Sequence, residues 1–286
     1  LEEHLGRRAT HLIPGEIGGA NSTRPMAISA MSGLPVIDAD GMGRAFPELQ
    51  MDTFAIYGVS STPAALADIY HNVVLFPRLV DAVTLERYAR AVTVQMGGAA
   101  GYAFPAMTGA EAKRTAIPMT LSLAEAVGAA VRRARREHAD PVAAVLCVTG
   151  GQIVFHGKVV DVQRRLVAGF ARGVVELDGL GDHRGSRMRI DFQNENLIAW
   201  RDGVVVVVVP DLICLVDAGT AEPVTTEVVR YGLRVAVLGI PAPALLKTPQ
   251  ALAVVGPAAF GYPDVEYRPL PGVYGGDRLV AERTGT

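Results

Sequence analysis

Long apolar runs, aromatic rings, cysteine and net charge are all scarce in this chain, and each scarcity closes a class of function. A run such as Val204 to Val209 is strand-sized and closed by Pro210, whereas a membrane helix needs roughly 18 unbroken apolar residues. Phe, Tyr and Trp together make up 6% of the chain and the formal charge is -2. Stacking platforms and a basic surface for nucleic acid are therefore not expected, nor is attraction to an anionic membrane. The two cysteines, Cys147 and Cys214, are too few for a disulfide framework and suit a reducing compartment, so the expected location is the cytoplasm. Both lie in Val- and Leu-rich stretches and read as buried, inert thiols. None of the six histidines stands in a His-x-x-x-His or Glu-x-x-His spacing, so spacing alone gives no zinc motif. No nucleotide cofactor is expected. Leu1 is not a methionine start and the first residues are not a signal peptide, so the chain is expected to continue upstream.

What the chain has is apolar residues, 50% of 286, with only 20% charged. That supplies more than one core and makes two domains the first expectation. Ala9 to Ile13 reads as a strand, followed by the loop Pro14 to Asn21. A helix capped by Ser22 or Thr23 then ends at Gly33, and Pro35 to Asp38 forms a second strand. Strand, helix, strand over about 30 residues is a βαβ unit. Thr84 is a cap for a helix over Leu85 to Met96. Ser122-Leu123-Ala124-Glu125 reads as a capping box for a helix reaching about Glu137, whose run Arg132 to Arg136 is a wet face. Pro141 blocks its continuation. From Ala143 the pattern changes to strands, among them Val204 to Val209, Leu212 to Val216 and Val228 to Leu238. The expected fold is an N-terminal three-layer α/β domain with parallel strands (1–140) and a C-terminal β-rich, barrel-like domain (141–270). A poorly ordered tail (271–286) follows.

A parallel strand pair places the loops after both strands at one edge of the sheet, where ligands bind. The first loop carries Glu16, Gly18, Gly19 and Asn21; the second carries Asp38, Asp40, Gly41, Gly43 and Arg44. Taken singly, Glu16 is an exposed loop acid and Asp38 a turn cap, while Arg44 with Glu48 is an i, i+4 ion pair. Taken together they bring carboxylates, an amide and a guanidinium to one crevice. Carboxylates gathered in that way need a proton or a cation between them. His156, between strands, reads either as a satisfied structural histidine or as a group at a domain interface. Asn194-Glu195-Asn196 reads as a polar turn or as part of a crevice lining.

Several segments together resemble one family: Gly15-Glu16-Ile17-Gly18-Gly19-Ala20-Asn21, Asp38-Ala39-Asp40-Gly41-Met42-Gly43-Arg44-Ala45-Phe46-Pro47-Glu48, Phe155-His156-Gly157-Lys158, Asn194-Glu195, Pro210-Asp211-Leu212, Arg230-Tyr231-Gly232 and Phe260-Gly261-Tyr262. The chain is similar here to the S-methyl-thiohydantoin desulfurase domain family, often encoded beside hydantoinases. The resemblance implies hydrolysis at the ring carbon bearing the S-methyl group, which gives methanethiol and a hydantoin. The substrate class would be a thiohydantoin or a related cyclic amide. It implies Glu16, Asp38 and Asp40 as candidate catalytic acids, with Asp38 and Asp40 also candidates to hold a divalent metal, zinc first. Gly18, Gly19, Asn21, Arg44, His156 and Asn194 are candidates to bind substrate, Arg44 by forking a carboxylate. Which acid is the base stays open. The alternative is a non-catalytic binding or accessory subunit of a hydantoinase, and a homo-oligomer or a hydantoinase partner is expected.

Overall fold

The structure, a computed structural model, describes residues 1–167 and 169–285. The chain divides into two compact units, Leu1–Ile117 and Pro118–Thr286. The expected junction near Pro141 falls inside the second. Pro141 opens a helix there instead of ending a domain, because a proline costs nothing at a first-turn position whose N–H has no helical partner.

Unit 1 has little sheet. After α1 (Glu2–Leu5), α2 covers Gly19–Ser32 and β1 Ala39–Asp40. A short helix, α3 (Thr53–Ile56), precedes β2 (Ala64–Ala67) and β3 (Val73–Phe76). Then come α4 (Ala82–Gln95), β4 (Gly101–Ala103) and α5 (Gly109–Thr115). β1 pairs with β5 (Ile117–Pro118), the strand in which unit 1 ends. The larger sheet is antiparallel, in the order β3-β2-β4, and packs Ala64, Leu66 and Phe76 against Leu85 and Ala89 of α4. The parallel pairing expected on either side of α2 is reduced to one isolated bridge between Leu12 and Val36.

Two helix starts differ from expectation by one turn or less. α2 begins at Gly19, and Ser22 and Thr23 lie inside it with their hydroxyls donating back to the carbonyls of Gly19 and Ala20. Gly33 closes it in the left-handed conformation. In α4 the cap is Asp81, whose carboxylate accepts the Thr84 N–H at 2.7 Å; Thr84 is the recipient of the cap.

Unit 2 is built on one antiparallel sheet of seven strands, in the order β10-β9-β8-β7-β6-β12-β11. Its helices α6 (Thr120–Arg136) and α7 (Pro141–Thr149) come first. The strands are β6 (Gln152–Val167), β7 (Phe170–Gly179), β8 (Arg187–Gln193), β9 (Glu195–Arg201), β10 (Val204–Val208), β11 (Leu212–Asp217) and β12 (Arg234–Ile240). Alternation fixes the two faces: Met188 and Ile190 of β8 are buried while Arg187 and Arg189 stay outside. The sheet curls until Asn196 of β9 donates to the Ile213 carbonyl of β11 at 2.9 Å, although the two strands lie far apart in sheet order. The curl encloses Phe155, Val175, Leu177, Met188, Ile190, Phe192, Ile213, Leu215 and Val237. The β-rich expectation for the C-terminal part holds in this curled half-barrel.

The remaining differences concern helices. α6 starts at Thr120 after Met119, so Ser122 is inside the helix and no capping box forms. The stretch from Ala143 to Val148 is helical, not a strand. Asp140 accepts the N–H groups of Val142 and Ala143, and the apolar face, Val142 and Val145, packs on Val216, Ala236 and Leu238. A β-branched run becomes a helix here because a sheet face is present to bury it. Val228 to Leu233 precedes β12 as turn. Past α8 (Pro249–Val255) the expected disordered tail is α9 (Gly275–Thr284), with Tyr274, Gly275 and Gly276 buried. Arg278 of α9 donates to the carbonyls of Cys147 and Val148, capping the end of α7.

Candidate functional site

Gly41 joins the two motif loops of unit 1. Its N–H donates to the Gly15 carbonyl at 3.0 Å and its own carbonyl accepts the Thr53 N–H at 2.6 Å. A Cβ at position 41 would lie 2.8 Å from the Gly15 oxygen and 2.7 Å from the Phe54 ring, so only glycine permits this approach. The clamp brings the Gly15–Asn21 loop against the 40–46 loop.

Glu16 sits at that meeting. Asn21 lies in the first turn of α2 and donates from Nδ2 to Glu16 Oε1 at 2.7 Å. The Phe46 N–H is a second donor. Gly18 passes so close that a Cβ there would be 2.9 Å from Glu16 Oε1 and 3.0 Å from the Ala45 Cβ, whereas beside Gly19 the space is open. Burial pushes the Glu16 carboxyl above the ordinary carboxylate range, and the two donors only partly offset it. The result is a partly buried carboxyl just ahead of the first turn of α2, whose N–H groups have no helical acceptor.

The second motif does different work. Asp40 is buried, and its Oδ2 accepts the N–H groups of Met42 (2.9 Å) and Gly43 (2.8 Å). It braces the loop that supports Glu16. Asp38 is partly exposed. Arg44 is buried, with Nε donating to the Ala45 carbonyl at 3.2 Å and its guanidinium carbon 4.8 Å from the Phe46 ring centroid. A fork for an incoming carboxylate needs its N–H edges open, which burial of Arg44 opposes.

The metal expected at Asp38 and Asp40 does not fit the donors. Among the described residues, no three or more His, Cys, Asp or Glu side chains come together to hold an ion. Asp40 already spends one oxygen on two backbone N–H groups.

His156 and Asn194 belong to unit 2. His156 is on β6 opposite Ala236, not between strands, and its N–H donates to His183 Nδ1 at 3.3 Å. Burial holds the His183 ring below its usual pKa, helped by His156. Asn194 turns β8 into β9 with φ 56°, accepting the Ala171 N–H at 2.9 Å while its own N–H donates to the Ala171 carbonyl. These contacts account for Asn194 as a turn residue.

Sequence reasoning missed Asp52. It caps α3, accepting the Ala55 N–H at 2.6 Å, and lines a small cavity with Phe54, Tyr102 and Phe104. That cavity is about 20 Å³, room for roughly one water. Burial pushes the Asp52 carboxyl up to about 7. A Cβ at Gly15 would lie 3.6 Å from the Phe104 ring, which stacks on Phe54 at 5.6 Å, so the cavity lies close to the Glu16 loop. The signal was available: an Asp before Thr53-Phe54-Ala55 is a helix cap. Glu86 was missed as well. It is buried on α4, accepts the Leu49 N–H at 3.0 Å and is paired with Arg90.

The geometry defines a class first: a two-unit protein whose N-terminal unit presents a partly buried carboxylic acid, oriented by an amide, on a glycine-clamped pair of loops. The particular family follows from comparison with known proteins. Residues 1–78 match the S-Me-THD-like N-terminal domain and residues 80–270 the S-Me-THD-like C-terminal domain, so the chain belongs to the S-Me-THD-like family. The boundary between those matches precedes the spatial division at Ile117, and α4, β4 and α5 lie between the two. A crystal structure of a protein from Chromobacterium violaceum, a structural-genomics target, is similar with a TM-score of 0.75 and 26% identity, covering 94% of this chain and 75% of that one. No curated protein matches. Among the described residues, no helix is long and apolar enough to cross a membrane.

Proposed function

We propose that the protein hydrolyses S-methyl-thiohydantoin-like rings, with Glu16 as the proton-transfer group. The observation that carries this reading is the Glu16 carboxyl itself, raised by burial, held by Asn21 and on a residue that is partly exposed. A carboxylate with a raised pKa is a stronger base at neutral pH than one in water. Water adds to the ring carbon that carries sulfur while Glu16 takes its proton. The C–S bond then breaks, Glu16 returns the proton to the leaving thiolate, the remaining hydroxyl proton passes to the ring nitrogen, and the products are a hydantoin and methanethiol. First-turn N–H groups of α2 stabilise the negative charge that builds on the ring nitrogen. Asn21 keeps the carboxylate oriented, and Asp40 and Arg44 hold the supporting loop.

The test is thiol release by the purified chain from an S-methyl-thiohydantoin, with Glu16→Gln as the control that keeps size and removes the base. Release by the parent chain and its loss in a folded Glu16→Gln variant is the expected result. Release only after a hydantoinase is added would overturn the catalytic reading in favour of an accessory subunit.

A further inference from the structure

A second cavity lies on the outer face of the unit 2 sheet. It is a groove of about 470 Å³ over β7, β8 and β9, within the range of small-molecule sites. Cross-strand register lays one row along its floor: Glu176 of β7 faces Arg189 of β8, which faces Trp200 of β9. Asp178 and Arg187 form the neighbouring row, and Asp191 and Asp202 also line the groove.

The charges do not cancel. Four carboxylates (Glu176, Asp178, Asp191, Asp202) face two guanidinium groups (Arg187, Arg189). Arg189 is committed to Asp191 at 2.6 Å, and the Tyr262 hydroxyl donates to the other Asp191 oxygen at 3.1 Å. Arg187 lies 3.4 Å from Asp178. Once these two pairs are made, the negative charge of Glu176 is left over in the groove, while Asp202 has Arg201 as a charged neighbour. Trp200 is the only tryptophan of the chain, and it is placed on the outward register of β9, not in the enclosed core. An indole face beside excess carboxylate attracts a cation through its quadrupole and offers apolar area to whatever carries the charge.

We propose that this groove binds a small organic cation, a guanidinium or alkylammonium group on a short apolar body, stacked on Trp200 and held by Glu176. Nothing in this proposal depends on the hydrolase reading. An anion would have to displace Asp191 or Asp178 from its arginine and then sit among the carboxylates, so the charge balance opposes it.

Because Trp200 is the single tryptophan, its fluorescence reports on this groove alone. Titration of the full chain with agmatine at low salt is expected to give a saturable change with a dissociation constant in the millimolar range or below. The affinity should fall at least about 10-fold in Glu176→Gln and weaken in about 0.5 M salt as charges are screened. Calorimetry on Trp200→Leu, which keeps apolar bulk but removes the ring, should show a similar loss. Glu176→Gln should leave thiol release intact, and Glu16→Gln should leave agmatine binding intact, so failure of either reading is seen separately. The proposal is overturned by a flat titration. It is overturned equally by unchanged binding in folded Glu176→Gln and Trp200→Leu, or by saturation with acetate in preference to agmatine.

Discussion

The two units bury carboxyl groups for different ends. In unit 2, Asp211 is fully buried and accepts the N–H groups of Ala242 and Leu270, both at 2.7 Å, and the Tyr267 hydroxyl at 3.0 Å. In unit 1, Glu16 accepts from Asn21 and Phe46 and is partly exposed. Burial raises both carboxyls, so a raised pKa does not separate them; access does. Asp211 spends its acceptors on two distant segments, at Ala242 and at Tyr267 and Leu270. Glu16 has capacity left over, in a unit whose core is small and which carries most of the exposed large apolar side chains despite being the shorter. The lesson is that a perturbed group points to function only when a reactant has a path to it.

The largest expected effect would sharpen this contrast. Glu16→Gln should reduce thiol release by roughly 1,000-fold, the middle of the range for loss of a positioned general base, with little change in melting temperature. The matching change in unit 2, Asp211→Ala, should do the reverse. It strands two buried N–H groups and a hydroxyl at a cost of about 3–5 kcal/mol, read as a lowered denaturation midpoint. Glu16→Gln that unfolds the protein, or Asp211→Ala that leaves stability unchanged, would break the comparison.

Asp52 gives the next effect in size. Its carboxyl is pushed up to about 7 from an ordinary 3.8, so between those values the folded chain holds more proton than the unfolded one. Its contribution to stability is therefore complete below about pH 4 and is lost as pH rises through about 7. Asp52→Asn keeps a cap for α3 and removes the ionisation. The variant should be more stable than the parent at pH 8 by roughly 1–3 kcal/mol and lack this part of the pH slope, which thermal melts across pH 4 to 8 would measure. Equal slopes in both proteins would refute the assignment.

How far the sequence spoke depended on whether the deciding contact was local. The two glycine-rich motif loops of unit 1 were legible, and Gly41 does clamp them together, because turn residues act through their own backbone. The curled β-rich unit was legible from its Val-rich strands and turn signals. Helix starts slipped at Thr84, where Asp81 is the cap, and at Ser22 and Ser122, where the helices begin after Gly18 and Met119 without a side-chain cap. Asp40 and Asp38 read as a metal pair, but one oxygen of Asp40 is taken by two N–H groups two and three residues on, which only the fold of the loop reveals. The α7 helix was illegible for the opposite reason: Val142 to Val148 has strand composition, and the sheet face that makes it a helix lies at Val216, Ala236 and Leu238.

The smallest expected effect tests that last point. Read as a strand, Val145-Leu146-Cys147-Val148 buries its thiol, and Cys147→Ala would then cost up to about 2 kcal/mol as a lost apolar group. In the helix, Val142 and Val145 face the sheet and Cys147 points the other way, exposed, while Cys214 on β11 is partly covered and packs beside the α7 contact. Arg278 touches only the Cys147 carbonyl, which alanine also provides. Cys147→Ala should thus shift stability by less than about 0.5 kcal/mol, whereas Cys214→Ala should cost more. A thiol reagent added to the folded chain should modify Cys147 first, with Cys214 reacting fully only on unfolding. Slow labelling of Cys147, or a Cys147→Ala cost equal to that of Cys214→Ala, would put this segment back against a core and undo the helical account of residues 141–149.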